Sequence, residues 1–372
     1  MIKILADDHI PFVSELFGEW GELILKPGER IERRDLLDVN ALLTRSITLV
    51  NTNLLKGTSV EFVGSATAGF DHIDQVSLKN QSIAWAFAAG VNAIAVAEYV
   101  LHCVAFLQKS NLLSREKTTA AVVGVGRVGS MVSARLKKIG FTVLHNDPPR
   151  AKLENDFIST PLESLTNVDL FCLHTPLIKS GKFPTYHLIS EPLLSKMKPG
   201  TILLNAGRGS VVDNNALLKQ DHVIACLDVW ENEPRINLEL LKKVIIGTPH
   251  IAGYSESAKL QATFSIYEAF LKHFYLPALP EIRQFKKLKQ LQEKTTVLKI
   301  ENCDTLEDVL LKIYNPANET RNMRESLLRN PDQFENLRRH YPLRNELSAI
   351  QLIPPPNNTF KSILQRCGFN ID

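Results

Sequence analysis

Cysteine is scarce in this chain and has no pairing pattern. There are five in 372 residues (Cys103, Cys172, Cys226, Cys303 and Cys367), and none forms a C-x-x-C. That spacing argues against structural zinc, and most of the five sit in apolar runs, where a thiol behaves as a small hydrophobe. An odd, scattered set fits a reducing compartment, read here as the cytoplasm. Net charge is nearly absent as well. A balance of +3 over the whole chain gives no basis for a nucleic-acid or membrane-surface partner. No apolar run is clean enough for a bilayer span. The longest, "IAWAFAAGVNAIAVAEYVLHCVAFL", is interrupted by Gly90, Asn92, Glu98 and His102 and reads as a buried helix. Low-complexity tracts are missing; "IPPPNN" is a local turn or spacer. The opening "MIKILADDHIP" reads as a first strand and not as a signal peptide.

What is present is ordinary for a soluble globular protein: 44% apolar and 22% charged residues. The length exceeds one ordinary core, so two or three domains are expected. Over the first hundred residues, strand-like runs ("IKILAD", "ALLTRS", "EFVGSAT") alternate with helical pieces ("PFVSELFGEW", "SLKNQ"). A βα alternation of this kind implies a mostly parallel sheet. One long apolar helix is predicted from about Ala93 to Gln108. A second strand series follows: "TAAVVGVG", "FTVLHND", "DLFCLHTP", "TILLNAG", "VIACLDVW" and "KVIIGTPH". Most are near-continuous apolar runs, as strands covered on both faces require, so a second, doubly wound unit is expected. A further long helix is predicted from about Lys259 to Tyr275. "LPALPEIR" then breaks the pattern, and the remainder reads as a small α+β domain with strands at "TTVLKIE" and "LSAIQLI" and helices at "TLEDVLLKIY" and "TFKSILQRCGF".

The chemistry begins at "VVGVGRVGS". Gly124, Gly126 and Gly129 form G-x-G-x-x-G between an apolar strand and an amphipathic helix, and the next strand ends in Asp147. In that context the motif is a dinucleotide site. Gly124 permits the tight turn, Gly126 lets backbone N–H groups reach a pyrophosphate, and Gly129 allows close helix–strand packing. Gly124, Gly126, Arg127, Val128 and Gly129 are therefore the expected cofactor-binding turn. Asp147 is placed to accept from the adenosine ribose hydroxyls and to repel a 2′-phosphate, which favours NAD over NADP; Arg127 and Arg150 pull the other way. The strand ends "NAGRGSVVD", "LDVWENEP" and "GTPHIAGY" then place Arg208, Glu233 and His250 at one sheet edge. An arginine fork can hold a carboxylate, a histidine can take a hydroxyl proton, and a glutamate behind the imidazole can orient it. Together these suit hydride chemistry on a hydroxy acid.

Those three segments, in that order, resemble the signatures of the D-isomer-specific 2-hydroxyacid dehydrogenases. The resemblance implies two Rossmann-like doubly wound parallel-sheet domains around a cleft, with Arg208, Glu233 and His250 as the catalytic set. Further stretches ("LLTRSITLVN", "FVGSATAGFDHID", "NDPPR", "FENLRRHYPLRNELSAI") resemble one branch of that family. That branch acts on a phosphorylated hydroxy acid in pyridoxal 5′-phosphate biosynthesis and adds a C-terminal α+β domain that makes a homodimer. It implies a discontinuous substrate domain (1–95 and 257–280), an NAD-binding domain (96–256) and a dimerisation domain (281–372). It also implies that Ser46, Thr67 and Tyr254 contact substrate, and that Asp147, Thr175, Asp228 and Gly253 contact NAD. Strand-end capping is the simpler role for Ser46 and Thr67. Ala89 and Val91 depart from the proline and cysteine usual in that branch. Another hydroxy acid such as 3-phosphoglycerate, or a non-catalytic NAD sensor, stays open at this point. So does an arginine of the C-terminal segment, Arg338 or Arg344, at a dimer interface.

Overall fold

The computed structural model describes residues 1–114, 116–277 and 296–371. The chain divides into two compact units: Met1–Asn92 with Ser255–Lys294, and Ala93–Tyr254 with Thr295–Asp372. The expected break at "LPALPEIR", and with it the 280/281 boundary, falls largely outside the described residues.

In the first unit, β1 (Ile2–Asp7), β2 (Gly21–Lys26), β3 (Ala41–Thr44), β4 (Phe62–Ser65) and β5 (Ala84–Phe87) form a parallel sheet in the order β2-β1-β3-β4-β5. The period-two alternation of a strand sends successive residues to opposite faces. Ile4, Ala6, Ala41 and Leu43 go to one core, and Leu5, Leu42 and Val63 go to the other. The first core is completed from far along the sequence. Helix Glu256–His273, capped by Ser255 accepting from the Ala258 N–H at 3.0 Å, lays Leu260, Ile266 and Phe270 against it. The sequence missed β2, an edge strand only half-buried on its pattern, and buried β5 inside a longer helix-like run.

In the second unit, β6 (Thr119–Val123), β7 (Thr142–Asn146), β8 (Leu170–Leu173), β9 (Ile202–Asn205), β10 (Ile224–Leu227) and β11 (Ile246–Gly247) are all parallel, in the order β11-β10-β9-β8-β6-β7. Helix Ala93–Lys109 packs Tyr99, Val100, Cys103 and Leu107 on one face with Val132 and Leu136 of helix Arg127–Lys138. The opposite core holds Val123, Phe171, Leu203 and Trp230. A strand order that reverses between β8 and β6 opens a crevice at the carboxyl ends of those two strands, where doubly wound sheets bind their ligands.

The C-terminal residues belong to this second unit. β12 (Thr296–Lys299) and β13 (Ile350–Ile353) form a separate parallel pair. Helix Leu306–Ile313 packs Val309 and Leu310 on Leu101 and Ala105. Helix Pro316–Arg329 places Met323 and Leu327 in the core that holds Trp230. That helix runs beside β11, and Thr320 Oγ1 accepts from the Gly247 N–H at 3.0 Å. Four of the five cysteines are buried, Cys303 is partly exposed, and all are free thiols. Among the described residues no helix is long and apolar enough to cross a membrane.

Candidate active site

The candidate site residues of the second unit leave the carboxyl edge of its six-stranded parallel sheet. In strand order the edge presents the His250 loop after β11, Asp228 and Glu233 after β10, Arg208 after β9, Thr175 after β8, the glycine turn after β6 and Asp147 after β7.

The glycine turn is built by close approach. Gly124 has φ +81, in the region that disfavours a side chain, and a Cβ there would lie 2.7 Å from Thr175 Cγ2. A Cβ on Gly129 would lie 2.0 Å from the Gly124 carbonyl oxygen, so the helix starts hard against the turn. Gly126, the N-cap of helix Arg127–Lys138, is different: a Cβ there would meet nothing within 4 Å, and no side chain caps its helix. Open space beside a helix start whose N-cap brings no side chain to its N–H groups is what a pyrophosphate needs. Arg127 is the first helical residue, and Val128 packs against the core behind it.

Asp147 braces this turn. One carboxylate oxygen accepts from the Val125 N–H at 2.8 Å, the other from the Arg150 N–H at 2.9 Å. Arg150, expected as a cation that weakens the NAD preference, donates to the Val125 carbonyl (2.7 Å), Ser130 Oγ (3.0 Å) and Glu154 (2.9 Å). Its charge is thus largely committed within the turn. Across the crevice stands Thr175, whose buried Oγ1 has no hydrogen-bond partner among the described residues. Beside it both ring nitrogens of His174 are buried without one, and burial pushes that imidazole down to about 4. Orphaned polar atoms are costly, and they mark where a bound group would supply the partner. The fit to a dinucleotide is good on these three observations: open space at Gly126, a helix start whose N-cap is a glycine without a side chain, and the orphaned Thr175 hydroxyl.

Arg208 follows β9 on a loop that Asn205 folds back, donating from Nδ2 to the Arg208 carbonyl (3.0 Å) and accepting from the Gly207 N–H (3.1 Å). Its guanidinium donates to the Gly207 carbonyl at 2.8 Å. At Gly209 a Cβ would sit 1.9 Å from the Trp230 carbonyl oxygen, so only glycine lets the loops after β9 and β10 touch. The second loop carries Glu233, whose Oε1 accepts from the Trp230 N–H at 2.7 Å and whose Oε2 lies 2.7 Å from His250 Nδ1. Burial pushes the Glu233 carboxyl up, but the adjoining imidazole and the Trp230 N–H outweigh it and hold it below its ordinary value. An ionised Glu233 accepts, so the Nδ1 proton sits on the ring and Nε2 is left as the acceptor.

His250 itself has φ +58, and its loop is organised by Asp228. That buried carboxylate accepts from Thr248 Oγ1 (2.7 Å), the Ile251 N–H (2.8 Å) and the Ala252 N–H (3.0 Å), while burial pushes its own pKa up. Gly253 completes the turn, closed by the Tyr254 N–H donating to the Ile251 carbonyl at 2.9 Å. Tyr254 OH accepts from Arg338 Nε at 2.9 Å, and Arg344 donates to the Ala252 carbonyl at 2.6 Å. The two arginines considered for an interface thus reach the histidine loop of their own chain, a pairing the sequence reading did not anticipate across more than eighty residues.

In the first unit, Ser46 and Thr67 follow the adjacent strands β3 and β4. Thr67 Oγ1 donates to the Gly69 carbonyl (2.8 Å) and lies 2.7 Å from Ser65 Oγ. Arg45, beside Ser46, is paired with Asp7 at 3.0 Å and leaves a buried Nη2 without a partner among the described residues. That orphaned donor is one an anion could satisfy, and it is visible only once burial is known.

The sequence places these sites in a known lineage. Residues 102–252 match the D-isomer specific 2-hydroxyacid dehydrogenase, NAD binding domain, and residues 286–368 match a domain of unknown function. The erythronate-4-phosphate dehydrogenase of Coxiella burnetii is 66% identical over 369 residues, which is 99% of this chain and 100% of that protein. The enzyme of the same name from Escherichia coli is 40% identical, covering 99% of this chain and 98% of its own. Among solved structures, the D-lactate dehydrogenase from Aquifex aeolicus complexed with NAD and lactic acid aligns with TM-score 0.60 at 24% identity, over 78% of this chain and 98% of that one. The NAD-dependent formate dehydrogenase from Staphylococcus aureus in complex with NAD aligns with TM-score 0.63 at 19% identity, over 75% and 97%. These two likenesses concern the fold. Carried by the full-length identity and the match over its nucleotide domain, the chain belongs to the erythronate-4-phosphate dehydrogenases of the D-isomer specific 2-hydroxyacid dehydrogenase family.

Proposed function

We propose that this chain oxidises 4-phospho-D-erythronate to (R)-3-hydroxy-2-oxo-4-phosphooxybutanoate with NAD, a step of pyridoxal 5′-phosphate biosynthesis, as a cytoplasmic homodimer. The observation that carries the chemistry is the His250–Glu233 pair at 2.7 Å on a sheet edge shared with Arg208 and the glycine turn. The full-length identity to enzymes of that name supports the substrate.

Gly124 to Gly129, Asp147, Thr175, Asp228 and Gly253 would hold NAD, which would supply the hydride acceptor. Asp228 and Gly253 would act chiefly by shaping the His250 loop. Arg208 binds the substrate carboxylate with its planar fork and polarises the C2 oxygen. His250 Nε2 accepts the C2 hydroxyl proton as the C2 hydride departs, leaving the 2-oxo acid, and ionised Glu233 stabilises the resulting imidazolium. Ser46, Thr67 and Tyr254 contact the substrate, with Arg45 adding charge for its phosphate. A sensor would have no use for a histidine whose tautomer is fixed by a partly buried carboxylate, which weighs against the non-catalytic alternative.

The test is NADH absorbance with purified protein, NAD, 4-phospho-D-erythronate and a trap for the 2-oxo acid. NADH formation with this acid and not with 3-phosphoglycerate is expected. Turnover of 3-phosphoglycerate instead, or silence with both in protein that binds NAD, would sink the assignment. Sedimentation at the mass of a single 41.7 kDa chain would remove the homodimer.

A further inference from the structure

The segment that carries His250 is gripped on both flanks by side chains from beyond residue 295. On the approach, Arg324 donates to the carbonyls of Leu241 (2.9 Å) and Val244, and Thr320 accepts from the Gly247 N–H (3.0 Å). On the exit, Arg344 donates to the Ala252 carbonyl (2.6 Å) and Arg338 to Tyr254 OH (2.9 Å). The Ala252 residue is therefore fixed at both polar groups, its N–H on Asp228 and its carbonyl on Arg344. Arg344 is itself fixed. Its guanidinium carbon lies 4.7 Å from the ring centre of Tyr314, 5.7 Å from Tyr99 and 5.8 Å from Tyr341, and a cation over aromatic faces is held in place electrostatically. The grip is needed because His250 has φ +58, a conformation that a non-glycine residue keeps only where its surroundings over-determine it.

We infer that Arg344 and Arg338 are positioning residues for His250, and that the C-terminal segment, which matches a domain of unknown function, completes the active site of its own chain. This rests on the reading of His250 as the proton acceptor. Arg344 acts through the loop behind the imidazole, and Arg338 acts through that loop and through the charge it places near Glu233. A guanidinium suits the task because its donors have fixed directions, whereas a lysine offers one movable point charge.

The full-length protein with Arg344→Met should bind NAD within twofold of the parent while kcat falls roughly 10- to 100-fold, the scale of an ångström-size misplacement of a reacting group. Arg344→Lys should recover part of that loss. Hydrogen exchange should quicken at the Ile251 and Ala252 amides and stay unchanged in β6 and β8. Parent-like kcat together with parent-like exchange in Arg344→Met would overturn the inference, as would equal loss of NAD binding and turnover. If Arg344→Met does not fold, Arg338→Met, which removes a hydrogen bond at the loop exit, decides by the same readings. If the parent itself is silent with 4-phospho-D-erythronate, the proposed function fails, and the exchange rates alone still decide whether these arginines hold the loop.

Discussion

At the scale of single residues, the site divides into groups that react and groups that hold. His250 is the one whose removal should separate the two. His250→Asn keeps a polar side chain and leaves Asp228 its two loop N–H donors, so NAD affinity should stay within about twofold. Turnover should fall by roughly 10²- to 10⁴-fold, the usual worth of a positioned general base. Stopped-flow NADH formation alongside a fluorescence titration with NAD checks both halves; turnover near the parent's would remove the role. The placement of the proposed reacting residues was legible in the sequence because a parallel sheet brings all its strand ends to one edge, so Arg208, Glu233 and His250 had to share that edge once their strands were recognised. Their holders were not legible. Arg338 lies 84 residues from Tyr254, and nothing in "FENLRRHYPLRNE" distinguishes an arginine caged by tyrosines from one on a solvated helix face.

At the scale of elements, the turn before helix Arg127–Lys138 makes opposite demands on two glycines. Gly129→Ala would drive a methyl group to within 2.0 Å of the Gly124 carbonyl oxygen, a backbone contact that cannot yield without moving the helix. Gly126→Ala would add a methyl group in open space at a residue with φ −75, so folding should suffer by no more than about 1 kcal/mol. The expected outcome is a crossed pattern. Urea midpoints should drop sharply for Gly129→Ala and little for Gly126→Ala, while Gly126→Ala loses NAD affinity through the methyl group alone. Equal NAD affinity for Gly126→Ala and the parent would mean that the pyrophosphate lies elsewhere. Most elements were readable from their apolar period. Helix Pro316–Arg329 was not, because only Pro316, Thr320, Met323 and Leu327 of its fourteen residues are buried. Asn315 as N-cap with Pro316 at the first helical position was the one signal that could have found it.

At the scale of the whole molecule, acid stability should register the seam between the long helix Ala93–Lys109 and the C-terminal segment. His102, 2% exposed, shares its Nδ1 with the Leu310 carbonyl at 3.0 Å, and burial, reinforced by Arg344, pushes its imidazole down to about 3. The unfolded chain takes up this proton near pH 6.5 and the folded one does not. The contribution is therefore complete above pH 6.5 and is lost progressively as pH falls toward 3. Between pH 6.5 and 4.5 that amounts to about 2 kcal/mol. His102→Gln, which keeps a donor for the carbonyl, should flatten the fall of the urea midpoint over this range. His174, down to about 4, supplies a second share that the variant leaves intact. An unchanged slope would show that His102 titrates normally.

The strand that leads to the histidine is only two residues long and lies at the rim of its sheet, with helix Pro316–Arg329 alongside and the Thr320 hydroxyl taking up the Gly247 N–H. A bare rim of this kind is a template on which another chain can add a strand. The same helix that braces the approach to the His250 loop therefore also shields this rim from neighbouring molecules. A chain cut before residue 296 would lose that cover together with the core contacts of Met323 and Leu327. Its expected fate is self-association into insoluble material, so such a truncation cannot serve as a clean monomer for comparison with the intact enzyme.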